Sequence, residues 1–185
     1  MTESVFYVKA DAIYCQQAVL KNHLMLIVEG CIAGFTENPK EGVPIHDYGD
    51  AAIIPGLIDL HIHGREGCDV IDCKMSSIET ISCSLAQHGV TGFLATTVTT
   101  DWQQTLDAMA IIGQAYTQQP SGAQVLGGYS EGLFFSEKHK GVHNQDYFLE
   151  LSQDHLEAMI NAANGSLKVV ALAPEKPGAN ALIKY

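Results

Sequence analysis

Two histidines separated by one residue are the part of the sequence best suited to chemistry. His61 and His63 lie at the end of the segment PGLIDLHIHG, residues 55–64. On an extended strand, residues i and i+2 point to the same side, so both imidazoles would face one site. Imidazole nitrogens are common ligands of zinc and other transition metals. The apolar run before the pair and Gly64 after it favour a metal site over the alternative, two polar residues that cap a strand end.

A carboxylate at the end of another predicted strand would complete a ligand set. Glu131 stands in the segment GYSEG, residues 128–132. The carboxyl ends of parallel strands open onto one face, so Glu131 would point into the same mouth as His61 and His63. Two imidazoles and a carboxylate suit zinc, iron or manganese, and such a site activates water for hydrolysis. Without the histidine pair, Glu131 would be interpreted as a solvated loop residue.

A long loop predicted at residues 136–145 carries a further histidine. It contains the segment KGVHN, residues 140–144. Loops at this face of a parallel sheet bind substrates. His143 could donate a hydrogen bond to a hydroxyl or acyl oxygen of a substrate, and a surface histidine without a function is an equally good interpretation.

The elements that position these side chains change in character near residue 55. Before it, the sequence predicts short strands at 4–8, 24–28 and 31–35, with a hairpin that turns at Glu29 and Gly30. After it, predicted strands at 57–61, 90–98, 124–129 and 167–172 alternate with helices. Capping boxes at Ser76-x-x-Glu79 and Thr100-x-x-Gln103 would begin the first two helices.

Four such alternations predict an α/β fold with parallel strands and crossover helices. Two closures fit the pattern, an open doubly wound sheet and part of a (β/α)8 barrel. No G-x-G-x-x-G motif follows the first of these strands, so a dinucleotide-binding fold has no support. A whole barrel takes about 250 residues, so a barrel here would stop after four of its eight units.

The composition predicts a folded, acidic protein of one domain or one and a half. The chain has 185 residues, of which 46% are hydrophobic, and a formal net charge of -11. This charge disfavours nucleic acid and anionic membrane surfaces as partners. The sequence starts without a basic segment and contains no apolar run of the roughly 18 residues that a membrane span needs. Five cysteines without a C-x-x-C motif predict reduced thiols and a cytoplasmic location, and disfavour a metal site at Cys68 and Cys73.

The three motifs together resemble the amino-sugar-6-phosphate deacetylases of the amidohydrolase superfamily, which include the N-acetylglucosamine-6-phosphate deacetylases. Segments 122–129 and 169–176 are especially similar to the N-acetylgalactosamine-6-phosphate branch. The resemblance covers the whole chain but only about the first half of a family member. It implies part of a small β-sandwich at residues 1–54, followed at residues 55–185 by the first four β/α units of a metal-dependent TIM barrel.

The resemblance also implies roles for individual residues. Glu131 matches the principal metal ligand of the family, and His61 and His63 match a pair that holds a metal in some members and is replaced in others. Val142 and His143 match the loop that contacts substrate. The two further histidine ligands, the phosphate-gripping residues and the catalytic aspartate of the family would lie beyond Tyr185, so no catalytic residue is expected within the chain.

The sequence departs from the family pattern next to Glu131. Leu133 stands where the family usually has proline, and Ser130 replaces a residue that is usually apolar. Because proline restricts both its own backbone and that of the residue before it, Leu133 is expected to loosen the turn behind Glu131.

The activity that the resemblance implies is metal-dependent removal of the acetyl group from N-acetylglucosamine 6-phosphate or N-acetylgalactosamine 6-phosphate in amino-sugar catabolism. A small amino-sugar phosphate would be the ligand, and the protein would be a homo-oligomer. The isolated 185 residues are expected to be inactive. One alternative is a non-catalytic half-barrel that only associates with other chains. Another is a cyclic amidohydrolase such as a dihydroorotase or hydantoinase, which would need a lysine at the end of the fourth barrel strand, where residues 172–175 offer none.

Overall fold

A change of secondary structure near residue 55 separates two units of the chain. The computed structural model describes residues 4–185. The first unit ends at Pro55, and the second runs from Gly56 to Tyr185. In the described part of the first unit every regular element is a strand, whereas the second unit alternates strands with helices. The chain is therefore a mixed α/β protein.

Seven short strands form two sheets in the first unit. They are β1 (Val5–Lys9), β2 (Ala12–Tyr14), β3 (Val19–Lys21), β4 (Leu24–Val28), β5 (Cys31–Thr36), β6 (Ile45–Asp47) and β7 (Ala52–Ile53). One sheet has the order β5-β4-β1-β6 and the other the order β3-β2-β7. Their small core is formed by Ile13, Met25 and Ile27.

The predicted hairpin between residues 24 and 36 is confirmed. Strands β4 and β5 pair antiparallel, with Val28 opposite Cys31. The two residues of the turn, Glu29 and Gly30, both have positive φ, at 49° and 76°. Two left-handed residues give the turn the twist that matches paired strands.

Four parallel strands form the main sheet of the second unit. They are β8 (Leu57–Ile62), β11 (Val90–Thr96), β12 (Gln124–Phe134) and β13 (Leu167–Leu172). Each strand is hydrogen-bonded to the next along the chain, in the order β8-β11-β12-β13. A short antiparallel hairpin of β9 (Gly64–Arg65) and β10 (Cys68–Asp69) follows β8.

Four helices complete this unit, and three of them connect successive strands of the sheet. They are α1 (Met75–Ala86), α2 (Trp102–Gln118), α3 (Gln153–Ala162) and α4 (Ala179–Lys184), with 3-10 turns at Val70–Asp72, Glu137–His139 and Gln145–Tyr147. The apolar face of α1 packs into the core, where Ile78, Ile81 and Leu85 are fully buried. Each such side chain stabilises the fold by about 1.5–3 kcal/mol. Within residues 4–185, none of the helices combines the length and apolar character that a membrane crossing requires.

Both predicted capping boxes are wrong. Helix α1 begins one residue before Ser76, and its N-cap residue, Lys74, makes no side-chain cap. Glu79 lies inside the helix, and the hydrogen bonds that its carboxyl group accepts from the side chain and the backbone N–H of Ser121 lower its pKa. Helix α2 is capped by Asp101, one residue after Thr100. A carboxylate at this position interacts more favourably with the helix dipole than a hydroxyl does.

The five cysteines are free thiols in the structure. Cys73 donates weak hydrogen bonds to the carbonyls of Ile71 and Gln104, at 3.4 and 3.5 Å. Burial is the main cause that raises the pKa of the Cys73 thiol. Neither Cys68 nor Cys73 belongs to a group of potential metal ligands among the described residues.

Candidate metal centre

Three side chains converge at the carboxyl end of the parallel sheet. The Oε2 atom of Glu131 lies 3.2 Å from Nε2 of His61 and 3.0 Å from Nε2 of His63, and the two histidine nitrogens are 3.3 Å apart. Ligand atoms about 2.0–2.2 Å from a tetrahedral metal ion are separated from one another by about 3.4 Å. The three atoms are therefore arranged as one divalent cation would require, after a small outward adjustment.

His63 is held in an orientation that suits a ligand. Its Nδ1 atom lies 3.2 Å from the backbone carbonyl of Thr96, at the end of β11. Because a carbonyl only accepts, Nδ1 carries the proton and Nε2 presents its lone pair to the site. The hydroxyl of the same threonine accepts the backbone N–H of Ile62 at 3.1 Å. Thr96 thus fixes both the end of β8 and the histidine that follows it.

His61 is positioned by its own strand and by a neighbouring aromatic ring. Its backbone N–H donates to Oδ1 of Asp59 at 3.0 Å. Its imidazole packs against the ring of Tyr129 on β12, with 4.8 Å between the ring centroids. The side chains of His61 and His63 remain 43% and 36% exposed, so a substrate could reach the site from solvent.

Glu131 was expected at the end of its strand because a glycine follows it, but it lies inside β12. The strand continues to Phe134, but its pairing with β13 shifts between Ser130 and Phe134. Residues 131–133 therefore form a bulge, a device that turns a side chain out of the regular alternation of a strand. The backbone N–H of Glu131 donates to the hydroxyl of Thr97 at 3.3 Å, and its side chain is only 16% exposed.

Packing supports the bulge where the family usually has proline. The side chain of Leu133 is fully buried, and its carbonyl accepts the backbone N–H of Leu149 at 2.8 Å. Ser130 is also buried, and its hydroxyl contacts the sulfur of Met159 at 3.4 Å. Both departures from the family pattern thus occupy core positions on either side of Glu131.

The two predicted substrate residues lie on the loop after β12, outside the ligand cluster. Val142 is 98% exposed and makes no packing contribution. The Nδ1 atom of His143 lies 2.6 Å from the hydroxyl oxygen of Thr99, and its ring meets that of Phe135 edge-on at 4.8 Å. The structure therefore holds His143 in one place, while its role with substrate stays a prediction.

The residues that sequence reasoning missed are the threonines after β11. In the segment TTVTT, residues 96–100, the β-branched residues 96–98 predicted the end of a strand and Thr100 predicted a helix cap. The strand ends at Thr96, and the hydroxyls of Thr97 and Thr99 instead contact Glu131 and His143. Three threonines within four residues at a strand end were the available signal.

The single arginine of the sequence is directed to helix α1. The Nε atom of Arg65 donates to the hydroxyl of Ser84 at 2.7 Å, and its Nη2 lies 3.2 Å from Nδ1 of His88. Lys176 is also occupied, since its Nζ donates to the carbonyls of Phe135 and Leu149. Neither cation contacts the three side chains of the candidate metal centre.

Comparisons with known proteins place these features in a wider context. No family model matches the chain. The N-acetylglucosamine-6-phosphate deacetylase of Vibrio furnissii is 44% identical over 137 residues, which are 74% of this chain and 34% of that protein. The N-acetylgalactosamine-6-phosphate deacetylase of Escherichia coli O157:H7 is 34% identical over 177 residues, which are 96% of this chain and 46% of that protein.

A solved structure shares the fold. It is a variant of N-acetyl-D-glucosamine-6-phosphate deacetylase from Mycobacterium smegmatis, in complex with N-acetyl-D-glucosamine-6-phosphate. It superposes with a TM-score of 0.84 at 21% identity, over 98% of this chain and 46% of that one. The chain thus spans less than half the length of each of these three proteins.

Proposed function

The chain belongs to the amino-sugar-6-phosphate deacetylase family of the amidohydrolase superfamily, and we propose that its protein removes the acetyl group from an N-acetylhexosamine 6-phosphate. The observation that carries the proposal is the convergence of His61, His63 and Glu131 at the carboxyl end of the parallel strands. Relatives named for the glucosamine and the galactosamine substrates both match, so the proposal includes both sugars.

The donor set supports a zinc, iron or manganese ion held by His61, His63 and Glu131. Such an ion, when bound, polarises an amide carbonyl and acidifies water. The chain contributes the orientation of the ligands. Thr96 keeps the proton of His63 on Nδ1, and the bulge in β12 aims the Glu131 carboxylate at both imidazoles.

The order of the strands supports a barrel. Strands β8, β11, β12 and β13 are neighbours in chain order, without the reversal that marks the ligand crevice of a doubly wound sheet. The outer strand β8 exposes Leu57, Ile58 and Leu60, each more than half accessible. A further strand of a closed barrel would cover these apolar side chains. We therefore infer that residues 55–185 form the first four units of a (β/α)8 barrel and residues 1–54 part of a β-sandwich.

Substrate contacts are proposed for the loop that carries Val142 and His143. A sugar ring could pack over the exposed side chain of Val142 while one of its oxygens accepts a hydrogen bond from the imidazole of His143. Arg65 and Lys176 already contact α1 and the base of the loop, and the resemblance to the family assigns the phosphate grip and the proton-shuttling aspartate to residues outside this sequence. The activity is therefore proposed for the whole protein that contains this sequence.

Two observations bear on the alternatives. A cyclic amidohydrolase of the dihydroorotase kind would need a free lysine near the end of β13, and Lys176 donates to two backbone carbonyls instead. The other alternative, a non-catalytic half-barrel that only associates with other chains, is supported by one observation, the apolar edge of β8. It makes no use of the candidate metal centre, so metal-dependent catalysis explains more of the structure.

The proposal is tested by measuring acetate release by the purified protein that the longest reading frame containing this sequence encodes. We expect release from one or both N-acetylhexosamine 6-phosphates, its loss after chelation and its return with a divalent metal. Glu131→Gln should lower the rate by about a hundredfold or more, because a metal ligand is lost. Glu157→Gln on α3 is the matched control and should leave the rate unchanged. Wild-type activity in Glu131→Gln would contradict the assignment.

A further inference from the structure

One threonine joins the loop histidine to the strand that carries the metal-cluster carboxylate. The Oγ1 atom of Thr99 is 2.6 Å from Nδ1 of His143. The same oxygen lies against Gly132, where an added Cβ would collide with it, and Gly132 has a φ of +107°. Because Gly132 directly follows Glu131, Thr99 occupies the space between His143 and the β12 bulge.

The base of the loop is held independently of Thr99. Lys176 donates to the carbonyls of Phe135 and Leu149, at 3.2 and 2.9 Å, and so ties the two ends of the loop together. The hydroxyl of Ser136 donates to Oε1 of Glu175 at 2.6 Å, which lowers the pKa of that carboxyl group. Removal of the Thr99 hydroxyl would therefore remove the hydrogen bond that holds the His143 ring and leave the ends of the loop in place.

We propose that Thr99 is a positioning residue that sets the place and the tautomer of His143 for an oxygen acceptor of the substrate. The inference rests on the proposed function only for the identity of that acceptor. Among residues 4–185, the Thr99 hydroxyl has no hydrogen-bond partner except His143. If it donates to Nδ1, its own proton is satisfied and the ring proton lies on Nε2. His143 then presents an N–H donor to a hydroxyl or acyl oxygen of an amino-sugar phosphate.

The tautomer can be measured without catalysis. Nitrogen-15 NMR of the histidine side chains, with the His143 signals assigned through His143→Gln, should show the proton on Nε2 in the wild type. Thr99→Ser should keep this tautomer, whereas Thr99→Val and Thr99→Ala should give a mixture of both. The alanine variant covers the case in which valine does not fold. A wild-type proton on Nδ1, or an unchanged tautomer in both variants that lack the hydroxyl, would overturn the proposal.

Kinetics of acetate release provide the second test. Loss of one neutral hydrogen bond should raise KM about three- to tenfold in Thr99→Val, with a smaller change in kcat. Thr99→Ser should restore KM. Thr117→Val, which removes a hydroxyl bonded within α2, is the matched control and should leave KM unchanged.

A double-mutant cycle separates positioning from general damage. On a His143→Ala background, Thr99→Val should add nothing to KM, because the residue it positions is gone. An equal effect of Thr99→Val on both backgrounds would contradict the proposal. Absence of acetate release from the wild type would count against the proposed function, and the NMR result would then decide the role of Thr99.

Discussion

Substitution of Gly132 by alanine should lower the free energy of unfolding by an amount that follows from the structure. The residue has a φ of +107°, outside the small left-handed region that side chains tolerate, and strain of this kind costs about 1–3 kcal/mol. The new Cβ would also collide with Oγ1 of Thr99, and overpacking costs about 1–3 kcal/mol more. The sum is about 2–6 kcal/mol, a large share of the roughly 5–15 kcal/mol that holds a typical domain folded.

Gly165→Ala provides the matched control for strain alone. Gly165 has a φ of +74°, with no atom within 4 Å of an added Cβ. Its substitution should cost about 1–2 kcal/mol. At about 2–4 °C of Tm for each kcal/mol, thermal unfolding should show losses of roughly 4–24 °C for Gly132→Ala and roughly 2–8 °C for the control.

The refuting result is an equal loss of Tm in the two variants, because the control lacks the collision. Thr99→Ala removes the hydroxyl that the new Cβ would meet. On that background Gly132→Ala should cost less than it does in the wild type. An unchanged cost there would show that the Thr99 hydroxyl does not occupy the space beside Gly132.

Three further predictions concern activity, ligand binding and pH. The isolated 185 residues should release no acetate above background, whereas the longer protein should release it. The reason is that loss of a general acid or base typically lowers the rate by about 10²–10⁴-fold. Turnover by the isolated chain would contradict this prediction. Calorimetry should detect no tight binding of a hexosamine 6-phosphate to the isolated chain, because Arg65 is committed to Ser84 and His88; tight binding would reveal a phosphate grip within it. The N–H of Asp69 and the hydroxyl of Ser77 hold the pKa of Asp72 below its ordinary value of 3.8. Ionised Asp72 therefore stabilises the fold fully above pH 3.8, and this stabilisation is lost as the pH falls through the lowered pKa. In urea titrations, the free energy of unfolding of Asp72→Asn should depend less on acid pH than that of the wild type. An equal dependence in the two proteins would contradict the prediction.

Local patterns in the sequence predicted the elements whose limits are set locally. Strands β4 and β13 have the predicted bounds, because each is an apolar run between polar or turn-forming residues. Strand β12 was predicted to span residues 124–129, since Glu131 and Gly132 resemble a strand end. Its continuation to Phe134 depends on pairing with β13, which no local pattern records.

The candidate metal centre was predictable because its ligands lie near the carboxyl ends of parallel strands in one sheet. His61 and His63 share a face through their spacing, and Glu131 joins them through the parallel order of the sheet. The threonines that orient these groups were not predictable in the same way. The contact between Thr99 and His143 spans 44 residues and depends on how the loop folds back.

The central claim is that His61, His63 and Glu131 hold one divalent metal ion. Anomalous diffraction from crystals of the longest protein containing this sequence, soaked with zinc and measured on both sides of the zinc absorption edge, tests it directly. We expect a peak about 2.0–2.2 Å from Nε2 of His61, Nε2 of His63 and a carboxylate oxygen of Glu131. A zinc peak that contacts none of these three side chains would contradict it.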